Sequence, residues 1–256
     1  MVALARPLRL IPSLPLGVYH PPPFAMARPA ILFATALGLA LAVSPVVRSA
    51  PPPSPHEHHT HHGESGEPAA HAHDLGPAGA TYDLRFLDGM VQHHTGALRM
   101  SELVFGIGAP GVGALAKEIW REQAREIRAM GLWRRAWYPQ APVYPVALKP
   151  GGDPDALSGL ERMGEERIAA MRMMGALPDP QNRVTWFLEG MLHHHGGALQ
   201  MAHDALAKSA NPTIRRLARQ IITAQRREIL EIRRMLRLQG LSKSEYFRYD
   251  PLFQPG

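Results

Sequence analysis

The chain has 256 residues, of which 45% are hydrophobic, so it can bury one or two globular cores. Its 28 Lys and Arg against 22 Asp and Glu give a net charge of +6, and it contains no Cys, which excludes disulfide scaffolds, thiolate zinc fingers, iron–sulfur clusters and Cys nucleophiles. The distinctive feature of the composition is its 14 His and 12 Met.

The first predicted element is a leader at residues 1–50. Arg28 precedes an uncharged apolar run at residues 30–43, and small residues follow it, which is the order of a signal peptide. The run is shorter than the ~20 residues of a membrane-spanning helix, although an uncleaved N-terminal anchor stays the alternative. Met26 is an alternative start to Met1. The leader predicts an exported protein, periplasmic or associated with the cell envelope, which contacts the membrane only if that anchor is retained.

Residues 51–79 are predicted to be a disordered His-rich linker, because they contain Pro, Gly, Ser and Ala without a periodic apolar pattern. Half of the histidines lie here: His56, His58, His59, His61, His62, His71 and His73. Clustered neutral imidazoles on a flexible chain bind divalent metal ions loosely. We interpret the tract as a site of weak metal capture; a solvated spacer with incidental histidines is the alternative.

Residues 80–256 are predicted to form an all-α domain. Apolar residues recur at spacings of 3, 4 and 7 in four segments, at 81–105, 113–136, 183–209 and 213–239. Gly- and Pro-rich breaks separate these segments, and a weaker helix is expected at 155–176.

An internal repeat organises this domain. Residues 86–100 match residues 187–201, and the helix after each copy repeats as well. Each half, at about 81–139 and 155–240, is therefore predicted to be a helical hairpin. Because one hairpin alone cannot bury both of its faces, the repeat predicts a four-helix bundle made of two hairpins.

The first helix of each hairpin is predicted to carry histidines on its apolar face. At about 100° per residue, His93 and His94 lie on either side of Met90. The second copy repeats this arrangement with His194 and His195 around Met191. Side chains expected on the solvent side are Asp88, Gln92, Thr95 and Arg99 in the first copy and Glu189 and His193 in the second.

The second helix of each hairpin places one acid among apolar residues, Glu126 in the first half and Glu228 in the second. An ionised carboxylate on a core face is costly unless it is paired or bound to a metal. Imidazole and thioether ligands suit copper as Cu(I) or Cu(II), while imidazole and carboxylate also suit zinc or iron. Both hairpins are predicted to point their imidazoles and their acid at one shared interior site. The candidate metal ligands are Met90, His93, His94, Met100, Glu126, Met191, His194, His195, Met201 and Glu228. Met as core filler, and a His–Glu network that only fixes the register, are the alternatives.

These motifs resemble a bacterial family known as domain of unknown function 305. Its pattern Phe-Leu-x-x-Met-hydrophobic-x-His-His-x-x-Ala-hydrophobic-x-Met occurs twice, and Gln-x-x-Glu-Ile follows at residues 123–127 and 225–229. The resemblance covers about residues 81–240. It implies a ferritin-like four-helix bundle in exported proteins, some of which bind copper in the periplasm, and it implies the same Met, His and Glu ligands. Asp83 matches an acid that the family often has before the Phe, whereas the second copy has Val184.

The predicted function is non-enzymatic copper binding, for sequestration or copper tolerance. One alternative is a ferritin-like dinuclear metal oxidase, which is weakened because such sites draw a carboxylate from each of four helices. Another is a structural bundle with a His–Glu polar core and no metal. Arg pairs on the last helix are expected to be solvated and come without a nucleic-acid motif, so the expected partner is a metal ion and no nucleic acid. The sequence leaves open whether the protein is a homo-oligomer.

Overall fold

The computed structural model describes residues 73–109 and 111–255; the predicted leader and most of the His-rich linker lie outside them. Four long helices and a short one are present: α1 (Tyr82–Glu102), α2 (Val112–Trp137), α3 (Glu165–Arg172), α4 (Arg183–Lys208) and α5 (Pro212–Leu238). Helix α1 packs on α2, α4 packs on α5, and α1 packs on α4. The prediction of a mostly helical fold made of two helical hairpins is confirmed.

Local sequence explains where these helices begin. Helix α5 begins after Asn211, whose side chain accepts a hydrogen bond from the Thr213 amide at 2.9 Å, and Pro212 occupies the first helical position. Helix α2 follows Gly111, whose φ of 83° is a left-handed conformation that glycine adopts without strain. Each long helix then contributes apolar residues to both of two adjoining cores.

The connection between the hairpins differs from the prediction. The expected helix at 155–176 is reduced to α3, and two short antiparallel strands precede it, β1 (Val146–Leu148) and β2 (Leu160–Arg162). Strand β1 and helix α3 both pack on α1. A second layer therefore covers the face of α1 that was expected to meet solvent.

Asp88 and Gln92 are consequently buried, and their predicted exposure was wrong. The Asp88 carboxylate accepts hydrogen bonds from Arg134 Nε at 2.6 Å and from the Val146 amide at 2.9 Å. Gln92 Oε1 accepts from the Arg172 guanidinium at 2.8 Å. A helical wheel separates apolar from polar side chains. It cannot show that another segment, here β1 and α3, covers the polar face and supplies hydrogen-bond partners for its side chains.

The segments before α1 and after α5 also pack on the bundle. Leu75 is buried, and the Arg85 guanidinium donates to the carbonyls of Leu75 and Pro77, so the predicted disorder is wrong for residues 73–79. At the other end, Tyr246 donates a hydrogen bond to Glu189, which was expected to face solvent. Both segments are held by polar groups of α1 and α4.

Within the described ranges, every helix is too short or too polar to cross a lipid bilayer.

Candidate metal centre

The two hairpins meet at a pair of buried histidines. His93 on α1 and His194 on α4 have no exposed surface, and their ring centroids lie 3.8 Å apart. His194 Nε2 is 2.9 Å from the backbone oxygen of His93. Because a carbonyl only accepts, Nε2 carries the proton, and Nδ1 of a neutral His194 keeps a free lone pair.

A second histidine in each hairpin contacts the acid of the same hairpin. His94 Nε2 lies 2.5 Å from Glu126 Oε2. His195 Nε2 lies 2.7 Å from Glu228 Oε2, but these two atoms are not aligned for a hydrogen bond. Each acid thus pairs within its own hairpin, whereas the sequence predicted that both acids would point to one shared centre.

The four imidazoles form a continuous buried row. The ring centroids of His93 and His94 are 6.3 Å apart, and those of His194 and His195 are also 6.3 Å apart. With the contact between His93 and His194, the order is His94, His93, His194, His195; we call this the imidazole row. Side chains from both repeats are therefore needed to assemble it.

A fifth imidazole, His73, lies against the row. Its ring centroid is 5.3 Å from that of His93, and it is 8% exposed. It was assigned to the linker as a weak metal ligand, and the structure instead packs it on the bundle. The sequence signal that could have found it is Leu75, an apolar residue two positions later that is buried in the core.

Several ring nitrogens in this cluster lack a hydrogen-bond partner among the described residues. They are both nitrogens of His93 and His195, Nδ1 of His94 and His194, and Nε2 of His73. Buried polar atoms are rarely left unpaired, so such a cluster fits a bound ion or ordered water. Across residues 73–109 and 111–255, no three His, Asp or Glu side chains converge on a point that could hold a metal. The row therefore offers several unpartnered ring nitrogens, but the imidazole rings have to rotate before two or more of them can bind the same ion.

Burial keeps the central imidazoles neutral. It lowers the pKa of His93 and of His194 well below 6.5, and the neighbouring imidazoles lower both pKa values further. Neutral imidazole is the form that coordinates a metal. Near neutral pH, neither ring has to lose a proton before it binds an ion.

The same shifts predict acid sensitivity of the apo protein. Above the unfolded-state pKa near 6.5, both states are neutral and stability is complete. Below it only the unfolded chain binds these protons, so the free energy of unfolding should fall by about 1.4 kcal/mol per pH unit for each histidine. Urea denaturation between about pH 7.5 and 5.5 measures this slope. His93→Gln should reduce it, and a slope equal to that of the wild type would contradict the prediction.

The four predicted Met ligands are completely buried, and two of them pack helix against helix. A Cβ at Gly190 would lie 2.7 Å from Met100 Cε, and a Cβ at Gly89 would lie 3.5 Å from Met201 Cε. Each thioether thus fills the space above a glycine of the other repeat. This arrangement favours core packing for Met100 and Met201, while Met90 and Met191 lie in the cores on either side.

Two glutamines one turn before the acids were not selected as site residues. Gln123 and Gln225 are each 3% exposed, and both Gln123 side-chain polar atoms and Gln225 Oε1 lack partners within the described part of the chain. Their recurrence at matched positions of the repeat was the available signal. They add unpartnered polar atoms to those of the buried imidazoles.

Comparison with curated proteins finds no match. Among solved structures, CopM in the Cu(I)-bound form is 24% identical over 61% of this chain and 96% of its own, with a TM-score of 0.45. CopM in the Cu(II)-bound form is 25% identical over 61% and 97%, with a TM-score of 0.46. A DUF305 fragment from Deinococcus radiodurans is 28% identical over 64% and 99%, with a TM-score of 0.43. TM-scores below 0.5 are too low to carry a conclusion about this chain.

The family of this chain is shown by a family model that matches most of its described residues. The model of the family described as domain of unknown function (DUF305) matches residues 83–238, which is more than half of the chain. The match spans both hairpins and the connection between them. This protein belongs to the DUF305 family.

Proposed function

We propose that this protein is an exported, non-enzymatic metal-binding protein that takes up copper. The observation that carries the proposal is the imidazole row, in which neutral histidines from both repeats meet with unpartnered ring nitrogens. Lone pairs on neutral imidazoles bind copper as Cu(I) or Cu(II). Zinc and iron are the other ions that this donor set accepts.

His93 and His194 are the primary ligands in this proposal, since they lie at the centre of the row. His94 and His195 would bind through Nδ1, because their Nε2 atoms face Glu126 and Glu228. A carboxylate that accepts the Nε2 proton orients the ring and raises the basicity of the other nitrogen. Glu126 thus supports His94 directly, whereas Glu228 lies close to His195 without an aligned hydrogen bond, and neither acid need contact the ion.

A His–Glu network without metal is the structural alternative. Such a network stabilises a core when each buried polar atom has a partner. Here one acid–imidazole contact is misaligned, and both nitrogens of His93 lack partners among the described residues. The pattern of unpaired donors therefore favours ion binding over a purely structural role.

A dinuclear oxidase is less compatible with the carboxylates. A ferritin-like dinuclear site takes an acid from each of four helices. On α1, Asp88 is held by Arg134, and on α4, Glu189 is held by Tyr246 and Lys243. The acids that contact the row are Glu126 and Glu228, one from each hairpin, so the proposal is a binding protein. Oxygen consumption that depends on bound iron would favour the oxidase.

Export is proposed from the leader alone. Residues 1–50, outside the described structure, have the order of a signal peptide. The N-terminal sequence of the protein recovered from the cell envelope tests the leader.

The metal proposal is tested by titrating the full chain with Cu(I) under anaerobic conditions, in competition with a chromogenic chelator. We expect the protein to retain at least one ion against micromolar chelator, and to bind Cu(II) in a parallel titration. Zn(II) and Fe(II) titrations identify the other candidates. A full chain that takes up none of these ions at micromolar concentration would end the proposal.

A further inference from the structure

The imidazole row can be approached from two sides. On one side, a groove of about 710 Å³ between α2 and α5 reaches Glu126. Its charged lining residues are Arg125, Arg216, Arg219, Arg227, Glu122 and Glu126. Four guanidinium groups against two carboxylates leave this groove positive, and a positive mouth repels a free metal cation.

On the other side, a cavity of about 500 Å³ ends at His73. It lies between α4, the end of α3 and the C-terminal segment, and its charged lining residue among those described is Arg248. The Arg248 guanidinium lies over the Tyr249 ring, 4.7 Å from its centroid, and donates a hydrogen bond to the Tyr249 hydroxyl at 2.5 Å. The charged side chains that line this side sum to +1, against +2 for the groove, and they include a single guanidinium group instead of four. We call it the His73 cavity.

Gly197 of α4 lets His73 reach the row. A Cβ at this position would lie 2.7 Å from His73 Nε2 and 3.1 Å from His93 Nε2. Both ring nitrogens therefore border the space that a side chain at residue 197 would fill. Neither has a hydrogen-bond partner in the described part of the chain. Two free donors, one at the cavity and one in the row, share this space.

The first repeat lacks this access. Gly96 is its equivalent of Gly197, and the carbonyl oxygen of Arg172 lies only 1.9 Å from where a Cβ of Gly96 would stand. At Gly96 the space is thus filled by backbone at the end of α3, whereas at the equivalent Gly197 it is bordered by the His73 ring. The approach through His73 is specific to one side of the bundle.

The cavity also contains a soft donor. Met173 lines it together with His73, and its φ of 49° is rare for a residue with a side chain. This left-handed residue ends α3, and it sets the direction of the Met173 side chain at the cavity. Thioether and imidazole form a donor pair that suits Cu(I).

We propose that His73 is the outer ligand of the imidazole row, and that a copper ion enters through the His73 cavity and passes from His73 to His93. This inference rests on the proposed copper binding. Transfer exchanges one imidazole ligand for another and leaves the oxidation state unchanged. In the sequence, His73 is the last of the seven histidines in residues 51–79. The tract proposed to capture ions weakly is therefore joined by the chain to the His73 cavity, which is the proposed entrance.

The test compares the rate of Cu(I) uptake from a weak chelator complex by the full chain and two variants, using stopped-flow absorbance. His73→Gln removes the outer ligand, and Gly197→Ala keeps it but places a methyl group between it and His93. Both should slow uptake by roughly tenfold to a hundredfold. Gly131→Ala on α2, where the nearest atom to the added methyl group would be Arg135 Nη1 at 3.8 Å, should keep the wild-type rate. Histidine ring ¹⁵N spectra of the apo variants test the contact itself, because the His93 resonance should shift in both entrance variants and not in Gly131→Ala.

The outcomes separate the two proposals. Uptake at the wild-type rate by both entrance variants, with tight binding intact, overturns the role of His73 and leaves the proposed function standing. Failure of the wild-type chain to bind copper overturns the proposed function. Melting curves of the apo proteins identify an unfolded Gly197→Ala variant, and His73→Gln then decides alone. Slower uptake by Met173→Leu would show that the Met173 thioether takes part in entry, and an unchanged rate would exclude it.

Discussion

Loss of tight copper binding is expected when His93 and His194 are both replaced by Gln. The two rings are adjacent at 3.8 Å, are completely buried, and each has an unpartnered nitrogen among the described residues. Loss of a group that only supports a ligand typically lowers metal affinity 10–100-fold. Loss of both central ligands should therefore lower the affinity by more than about 100-fold, and competition titration with Cu(I) measures it.

The control for this variant is His203→Gln, which lies on α4 together with His194. His203 Nε2 bonds to the carbonyl of Leu252 at 2.9 Å and lies outside the row. Its replacement should leave the affinity unchanged. Weak binding by the histidines of residues 51–79 should persist in both proteins, with lower affinity and without selectivity. An unchanged high affinity in the double variant would exclude the row as the copper site.

A large loss of stability is expected for Gly96→Ala. The added methyl group would stand 1.9 Å from the Arg172 carbonyl oxygen and 2.7 Å from its carbon. Because these are backbone atoms, the end of α3 has to move away from α1. Overpacking of a close contact destabilises by about 1–3 kcal/mol and occasionally more. We expect the upper end of that range, measured by urea denaturation of the apo protein.

Gly131→Ala is the matched control on α2. The nearest atom to the added methyl group would be Arg135 Nη1 at 3.8 Å, so nothing has to move. Alanine should stabilise this helix by about 0.5–1 kcal/mol because it restricts the unfolded chain. Equal stability of Gly96→Ala and the wild type would show that α3 does not pack against α1 in solution.

Much of the fold could be predicted because it depends on local periodicity. The observed α4 at Arg183–Lys208 lies within a residue of the predicted 183–209, and α5 at Pro212–Leu238 lies within a residue of 213–239. The repeat predicted two hairpins, since each leaves an apolar face to be covered. The buried positions of His93, His94, His194 and His195 follow from the same periodicity.

The partners of those histidines depended on helix packing. The wheel placed Glu126 and Glu228 on apolar faces, but which imidazole each one meets is set by the pairing of α1 with α2 and of α4 with α5. The contact between His93 and His194 requires α1 to pack on α4. A single helix specifies a face, and the angle between two helices specifies which atoms touch across it.

The sequence by itself thus determined the helices, the duplicated hairpins, the buried histidines and membership of a family. Only the tertiary structure decided that β1 contacts Asp88 and α3 contacts Gln92, that each acid stays within its hairpin, and that His73 enters the bundle above Gly197. The physical reason is the range of the interactions. Helix formation and amphipathic faces arise from residues within a few turns, whereas these contacts join segments far apart in the chain and depend on their mutual packing.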